Sequence, residues 1–401
     1  MLSSALFQRT HGLYDKFTVI DDMILHFWHA RIAAVKQPQY DKLIVIVVIT
    51  LGLNACSGSN GSAPNDNATT PKPVNSSRYL YAANSEDNSI SIYTLDTTNG
   101  RLQYSNKVAT GFRPYSIAIS PGGSFLYVAN NGSHDVSAYT INYTNGALTK
   151  AGLFPAGTNP ASLSVDPSGK FLYVANNGSK SISIFTINSA SGKLIEASTA
   201  YTIGNPASVI VDPSGKFAYA SNRMSNNIEI YNINATTGWL ASMNAPVAAG
   251  TGPYSITVSP SGKFAYATNI NSNNISTYKI NTQSGELVEI GKEISEFSPC
   301  SISFDPSGKF AYVANRGSDS ISGYTIDPEK GRLKPVGKAI KTQVQPASVI
   351  VDPSGKYLYV ANFESHSISA YIINSVTGEL DANAPPHFPL TLGPVALAIT
   401  P

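Results

Sequence analysis

The hexapeptide FLYVAN occurs twice, at Phe125–Asn130 and at Phe171–Asn176. Near copies read YLYAAN, FAYASN, FAYATN, FAYVAN and YLYVAN. Consecutive copies lie 46 or 47 residues apart, and the seven copies close on Asn84, Asn130, Asn176, Asn222, Asn269, Asn315 and Asn362. A fixed period of this size indicates a repeat architecture. The repeat, rather than the length of 401 residues, therefore sets the domain organisation.

One repeat predicts four short strands. Ala161–Val165 is rich in small and β-branched residues, and the turn sequence Asp-Pro-Ser-Gly follows it. Phe171–Ala175 forms the next strand, and Ser181–Ile187 alternates polar with apolar residues at the period of a strand. Leu194–Thr202 is a looser fourth strand. Four antiparallel strands per repeat are typical of a propeller blade, whereas an open stack of sheets would leave free edges and uncapped ends.

The two ends of the repeat region predict that the ring closes. The last residues, Pro394–Pro401, match the first strand of a repeat, and Arg78–Tyr81 matches the second strand. The C-terminal strand is therefore expected to join the N-terminal blade, which removes the free edges. The predicted fold is all-β: a seven-bladed β-propeller of four-stranded antiparallel blades over residues 78–401.

The N-terminal residues 1–55 have the pattern of a secretory signal. Lys36 and Lys42 precede the apolar run Leu43–Leu53, which is shorter than the roughly 20 residues that span a bilayer. The sequence that ends this segment, LNAC, resembles the bacterial lipobox, which implies a lipid anchor on Cys56 and an exported, envelope-located protein. An ordinary signal peptide and a buried strand are the alternatives.

Other features bound the organisation of the chain. Residues 1–22 fit a signal poorly, and translation from Met23 would exclude them. Residues 56–77 have no periodic apolar pattern and predict a flexible tether. With Cys56 lipidated, Cys300 has no disulfide partner. Charged residues make up only 13% of the sequence and the formal charge is +2, so no basic face is predicted and nucleic acid is not an expected partner.

The motifs SPSGKFAY, YVAN and SISxYTI together resemble the YVTN-type and lactonase-like seven-bladed propellers, over residues 78–401. That family includes 6-phosphogluconolactonase-like enzymes, muconate-cycloisomerase-like proteins and surface or secreted propellers without known chemistry. The enzymes often carry His after the proline that opens an innermost strand. The residues at that position here are Tyr115, Ala161, Ala207, Tyr254, Cys300, Ala347 and Val395.

Comparison among the repeats indicates which face carries function. The turns between strands one and two and between strands three and four are nearly uniform, and we call their side the scaffold face. The loops between strands two and three, and the lead-in loops before each first strand, vary and share the other side, the variable face. Its candidate catalytic residues are Arg113, His134, Arg223, Arg316 and His366. Its candidate ligand-binding residues are Glu86, Asp87, Tyr115, Asp135, Tyr254, Asp319 and Glu364.

These residue types suggest specific roles beside the plain one of solvated loop charges. Arginines at a channel mouth can hold an anionic group bidentately, and His134 and His366 can act as acid or base. The closing asparagines either bond their own loops or, with Asp135 or Asp319, hold calcium, the one cofactor the sequence suggests.

The sequence contains no nucleophile elbow, P-loop, HExxH or paired-Cys motif. The leading hypothesis is therefore a binding scaffold for a small molecule or protein. A lactone hydrolase acting at the channel mouth is the alternative, and a structural envelope role is a third.

Overall fold

The computed structural model describes residues 78–381, 388–389 and 392–401. The predicted signal, the lipidation site Cys56 and the tether lie outside these residues. The described residues form strands and turns and contain no helix, and hence no helix that could cross a membrane.

The strands fall into four classes by their place in the blade. The innermost strands are β4 (Pro114–Ile119), β8 (Pro160–Val165), β12 (Pro206–Val211), β16 (Pro253–Val258), β20 (Pro299–Phe304), β24 (Pro346–Val351) and β29 (Pro394–Ile399). The second strands are β1 (Arg78–Asn84), β5 (Phe125–Asn130), β9 (Phe171–Asn176), β13 (Phe217–Asn222), β17 (Phe264–Asn269), β21 (Phe310–Asn315) and β25 (Tyr357–Asn362).

The two outer classes complete each blade. The third strands are β2 (Ser89–Leu95), β6 (Asp135–Ile141), β10 (Ser181–Ile187), β14 (Asn227–Ile233), β18 (Asn274–Ile280), β22 (Ser320–Ile326) and β26 (Ser367–Ile373). The outermost strands are β3 (Leu102–Ala109), β7 (Leu148–Pro155), β11 (Leu194–Tyr201), β15 (Leu240–Ala248), β19 (Leu287–Ile294) and β23 (Leu333–Lys341), with the short β27 (Leu380–Asp381) and β28 (Phe388–Pro389) in the last blade.

The sheet order confirms the predicted seven-bladed propeller and its closure. Strands β4 to β27 form six antiparallel sheets in sequence order, which we number blades 2 to 7. Blade 1 has the order β29-β1-β2-β3, so the C-terminal strand is innermost and pairs with β1, for example at Tyr81 and Ala398. Each innermost strand contacts the innermost strands of both neighbouring blades, and β29 contacts β24 and β4. The ring of blades is therefore continuous.

A buried tyrosine on each second strand ties adjacent blades together. The hydroxyl of Tyr127 in blade 2 donates a hydrogen bond to the carbonyl of Gly192 in blade 3, with an oxygen–oxygen distance of 3.1 Å. The bond from Tyr359 to Gly100, 2.8 Å long, repeats this contact from blade 7 to blade 1. All seven equivalent tyrosines are fully buried and donate this bond to the next blade: Tyr81, Tyr127, Tyr173, Tyr219, Tyr266, Tyr312 and Tyr359.

The scaffold face is held by repeated side-chain contacts in its turns. The buried Asp166 accepts hydrogen bonds from the backbone N–H groups of Ser168, at 3.0 Å, and Phe171, at 2.7 Å. In blade 7 the equivalent Asp352 also forms an ion pair with Arg78 at the start of β1, at 3.2 Å. This pair links the last blade to the first on the side away from the variable loops.

Candidate functional site

The loops of the variable face share one backbone conformation. The fourth residue after each closing asparagine has a positive φ, between 50° and 61°: Asn88, His134, Lys180, Asn226, Asn273, Asp319 and His366. Asparagine and aspartate tolerate this left-handed conformation because their short polar side chains bond the nearby backbone. Both candidate histidines and Asp319 therefore occupy one position of the repeat.

In most blades the side chain at this position accepts a hydrogen bond from the lead-in loop of the next blade. Nδ1 of His134 accepts a hydrogen bond from the backbone N–H of Asn159 at 3.1 Å, and Nδ1 of His366 accepts one from Gly393 at 3.0 Å. Asp319 accepts the same bond from Gln345 at 2.8 Å. Each bond fastens the lead-in loop of the next blade. A count of four residues from each asparagine would have revealed this equivalence in the sequence.

The closing asparagines are fully buried and bond their own hairpins. Nδ2 of Asn130 donates to Asp135 at 2.6 Å and to Ser137 at 2.9 Å. Asp135 therefore supports the hairpin and is itself buried. Among the described residues no group of three or more His, Cys, Asp or Glu side chains could hold a metal ion. Calcium binding stays a prediction that rests on the asparagine oxygens.

A cavity of about 380 Å³ lies at the mouth of the central channel. All seven blades contribute to its wall through the residues Ser85, Arg113, Tyr115, Ser116, Ala161, Ser162, Ala207, Ser208, Tyr254, Ser255, Cys300, Ser301, Arg316, Ala347, Ser348, Phe363 and Val395. Its only charged lining residues within the described part of the chain are Arg113 and Arg316. The cavity therefore has a cationic wall interrupted by hydroxyl groups.

Two tyrosines meet across this cavity. The hydroxyls of Tyr115, in blade 2, and Tyr254, in blade 5, are hydrogen-bonded to each other. Burial in the channel wall, reinforced by Tyr115, raises the pKa of Tyr254 well above its ordinary value. Arg223 stacks on the Tyr254 ring, with its guanidinium carbon 5.6 Å from the ring centre. Because blades 2 and 5 lie on opposite sides of the ring, the pair divides the mouth into a half formed by blades 3 and 4 and a half formed by blades 6, 7 and 1.

The two cavity arginines differ in how firmly they are held. Nε and Nη2 of Arg316 donate to Gln345 Oε1 at 3.1 and 2.8 Å, and its guanidinium lies 5.6 Å from the ring centre of Phe363. A guanidinium carries five N–H donors, so three remain for a ligand. Arg113 is exposed and has a positive φ of 54°, and within the described residues its side chain has no ion pair or hydrogen bond. Sequence reasoning missed Gln345 and Phe363, which orient Arg316.

Three of the predicted site residues lie at the rim. Oε2 of Glu86 lies 3.6 Å from Nδ1 of His366, and both side chains are about half exposed. Glu364 is exposed on the same loop as His366. The structure thus brings Arg113, Arg316, Tyr115 and Tyr254 to one cavity. It leaves His134, Asp135 and Asp319 in the loop framework and Arg223 behind Tyr254.

Asp87 faces away from the cavity wall. It forms an ion pair with Lys107 of strand β3 at 2.8 Å and accepts a hydrogen bond from Ser89. It therefore acts as a loop charge that ties the second hairpin of blade 1 together.

Cys300 lies in the wall of the cavity, and its thiol is a poor nucleophile. It is 2% exposed, and its thiol faces the carbonyl of Pro346 at 3.2 Å. Burial raises its pKa to about 12. Since the thiolate is the nucleophilic form, this residue packs the wall of the channel.

One buried carboxylate was missed in the sequence. Glu229 stands in blade 4 at the repeat position where the other blades have Ser91, Ser137, Ser183, Ser276, Ser322 and Ser369. Its oxygens accept from the backbone N–H of Ile203 at 2.7 Å, from Nδ2 of Asn222 at 2.7 Å and from the hydroxyl of Tyr231. An alignment of the repeats at this position shows the exception at once.

The repeat pattern and the fold agree with one known family. The family model described as "Lactonase, 7-bladed beta-propeller" matches residues 72–156, 117–211, 199–304 and 295–387. The chain belongs to this lactonase-type seven-bladed propeller family. None of the curated proteins matches the sequence significantly.

Several solved structures share the fold of this lactonase-family chain. A candidate 6-phosphogluconolactonase of Bacteroides uniformis is 22% identical, with a TM-score of 0.74 over 80% of this chain and 99% of that one. A counterpart from Bacteroides fragilis is 23% identical, with a TM-score of 0.72 over 82% and 99%. A periplasmic gluconolactonase of Pseudomonas aeruginosa is 19% identical, with a TM-score of 0.72 over 81% and 99%. Identities this low establish the common fold.

Proposed function

We propose that this propeller binds a small anionic ligand of the sugar-acid or hydroxy-acid type in the channel-mouth cavity. The observation that carries the proposal is that Arg113 and Arg316 line one cavity whose described wall contains no carboxylate and no imidazole. Arg316 is oriented by Gln345 and Phe363 before any ligand arrives. A preorganised guanidinium loses less entropy on binding a carboxylate, and it can make two parallel hydrogen bonds to it.

Calorimetric titration of the purified protein with gluconate tests this proposal. Arg316→Met keeps much of the side-chain length but removes the charge, and we expect it to weaken binding at least tenfold. Arg101→Met, on an exposed scaffold-face turn, is the matched control and should bind as the parent does. Equal binding by the parent and Arg316→Met would contradict the proposal.

Lactone hydrolysis is the second candidate, and it is supported by the family and by the gluconolactonase among the similar structures. The described cavity wall supplies no ready base, because burial raises the pKa of Tyr254 and of Cys300. His366 lies beside Glu86 at the rim, but its Nδ1 accepts the hydrogen bond from Gly393, so it could activate water only after that bond breaks. Turnover of gluconolactone that His366→Asn abolishes would favour the enzyme, since asparagine fills this position in other blades.

We further propose that the protein is exported and anchored through a lipid on Cys56. The lipobox-like LNAC sequence and the short apolar segment before it support this location, and one similar structure is described as periplasmic. Mass spectrometry of the membrane-associated protein would detect the lipid on Cys56. Membrane association that persists in Cys56→Ser would contradict the anchor.

A further inference from the structure

The lead-in loops present one residue in a nearly constant geometry. This residue stands two positions before the proline of each innermost strand: Phe112, Thr158, Gly204, Thr251, Phe297, Val344 and Leu392. In five blades its backbone N–H donates to a serine hydroxyl of the loop between strands two and three, as from Phe112 to Ser133 at 2.9 Å and from Thr158 to Ser179 at 3.0 Å. In these five blades the backbone at this position is held in the same way and the side chain varies.

The apolar residues at this position are neighbours. They occur in blades 6, 7, 1 and 2, which are consecutive around the closed ring. They are exposed to solvent by 60% at Phe297, 48% at Val344, 49% at Leu392 and 56% at Phe112. Blades 3 and 5 carry the exposed Thr158 and Thr251 instead. We call the four apolar residues the crescent.

The blade-4 loop differs from the crescent loops. Its exposed apolar residues Ile203 and Met224 stand at other positions of the repeat. The backbone of this loop also differs: the residue before the proline has a positive φ in the other six blades, as at Arg113, but not at Asn205. Ile203 and Met224 are therefore separated from the crescent by the polar loops of blades 3 and 5.

The crescent forms the rim of the cavity on one side. Phe112 directly precedes the cavity residue Arg113. Val344 precedes Gln345, which holds Arg316 at 2.8 Å, and Phe297 precedes Ser298, whose carbonyl accepts from the Arg316 backbone at 2.9 Å.

The fourth crescent residue is joined to the cavity in the same way. Leu392 precedes Gly393, where an added Cβ would lie 3.0 Å from the ring of Phe363. Every crescent residue is thus one peptide bond from a group that lines the cavity or packs against its wall.

Two crescent rings are seated against glycine. Phe112 packs on Gly132 and Phe297 packs on Gly317, and neither glycine has room for a Cβ. The rings are therefore positioned before a ligand arrives, with their outer faces open. Large apolar side chains exposed at the same loop position of four consecutive blades favour a binding surface.

We propose that the ligand is an amphiphilic carboxylate, namely a hydroxy acid with a hydrocarbon tail. Its polar head lies between Arg113 and Arg316, and its hydrocarbon tail lies along the crescent. This inference rests on the proposed function and adds the class of ligand. The charge of the two arginines specifies an anionic head, while Val344 and Leu392, which have no hydrogen-bonding group, favour hydrocarbon over a polyhydroxylated chain.

Calorimetric titration with straight-chain carboxylates from butanoate to octanoate, below their critical micelle concentrations, tests the tail. We expect affinity to rise about two- to fourfold for each added methylene. Octanoate should bind more tightly than gluconate. Binding of gluconate without any rise along the series would overturn this inference and leave the proposed function standing, whereas failure of every carboxylate to bind would overturn both.

Matched variants locate the tail. The double variant Phe112→Ser/Phe297→Ser should flatten the chain-length dependence and leave butanoate affinity within about twofold. The control Thr158→Ser/Thr251→Ser changes the same loop position in blades 3 and 5 and should keep the full dependence. Equal behaviour of the two double variants would contradict the crescent as the tail site. A second result would also contradict the crescent as the tail site. If affinity does not rise with chain length, but the parent captures a protein that the Phe112→Ser/Phe297→Ser variant does not, the crescent is a protein contact.

Discussion

The hydroxyl of Tyr115 bonds the hydroxyl of Tyr254 across the mouth of the channel, joining blade 2 to blade 5. The two residues are far apart in sequence, and five small or medium side chains fill the equivalent positions of the other blades. Apart from the ring itself, this contact connects opposite sides of the propeller. It therefore contributes both to the shape of the cavity and to the rigidity of the ring.

A double-mutant cycle measures the contribution of this pair. We expect Tyr115→Phe and Tyr254→Phe each to lower the free energy of unfolding by about 1 kcal/mol. The double variant should cost little more than either single one, because both remove the same bond. Urea unfolding followed by fluorescence provides the values. Additive losses would show that the two hydroxyls act independently.

The buried tyrosines predict a loss of stability at alkaline pH. Burial raises the pKa of Tyr127, Tyr219 and their equivalents above the ordinary value near 10. The unfolded chain therefore releases protons first as the pH rises, and the folded state is favoured fully only below about pH 10. Cys300 acts in the same direction, because burial raises its pKa to about 12.

Urea unfolding between pH 7 and pH 11 checks this sign. The free energy of unfolding should be nearly constant to about pH 8, fall as Cys300 and then the tyrosines ionise in the unfolded chain, and drop steeply above pH 10. Phenolate absorbance recorded on the same samples should rise together with unfolding. A free energy of unfolding that stays constant up to pH 11 would contradict the raised pKa values of the buried tyrosines and Cys300.

The fold was predictable from sequence because each strand carries its own local signal and the repeat averages out ambiguity. The turn Asp166–Gly169 and the alternation of Ser181–Ile187 recur in register, and the matching of the C-terminal strand to the first strand predicted the closure that β29 shows. Strand bounds differ by a residue or so, as where β8 begins at Pro160 rather than Ala161.

The site was less predictable because its key relationships connect different blades. Nothing local to Tyr115 indicates that it meets Tyr254, and the orientation of Arg316 depends on Gln345 from the next blade. His134 attracted a catalytic interpretation because histidine suits acid–base chemistry, yet its backbone position makes it an acceptor for the neighbouring loop. That distinction depends on φ, which residue type alone does not specify.

The glycine in the turn between the third and fourth strands of each blade predicts that adding one methyl group there strongly lowers stability. Gly192 has a φ of 70°, and an added Cβ would collide with the ring of Phe125 from the preceding blade. We expect Gly192→Ala to lower the free energy of unfolding by about 2 to 4 kcal/mol, through both backbone strain and overpacking. Gly291→Ala is the control, since its nearest neighbour would be Glu293 Oε1 at 3.6 Å. Equal losses in the two variants would contradict this explanation.

The buried carboxylate of Glu229 in blade 4 predicts that its alanine and serine variants lose different amounts of stability. Glu229 accepts from three donors, so Glu229→Ala leaves the backbone N–H of Ile203, the amide of Asn222 and the hydroxyl of Tyr231 without it. Burying unsatisfied donors of this kind costs roughly 1 to 3 kcal/mol each when no other group or water replaces the partner. We expect a total loss of about 3 kcal/mol in the free energy of unfolding.

Serine at position 229 gives blade 4 the residue that the other blades have at this position of the repeat. In blade 3, Ser183 accepts from the Asn176 amide at 2.9 Å, and in blade 2 the equivalent of Tyr231, Tyr139, donates to the carbonyl of Ala109 at 2.7 Å. In Glu229→Ser the new hydroxyl can therefore accept the hydrogen bond from the Asn222 amide. The Tyr231 hydroxyl can then donate to a backbone carbonyl of the outermost strand of the preceding blade, as Tyr139 does. The expected loss is about 1 kcal/mol, similar to that of the control Ser183→Ala. If Glu229→Ser and Glu229→Ala unfold at the same urea concentration, the carboxylate contributes by filling space rather than by holding the blade-4 loop.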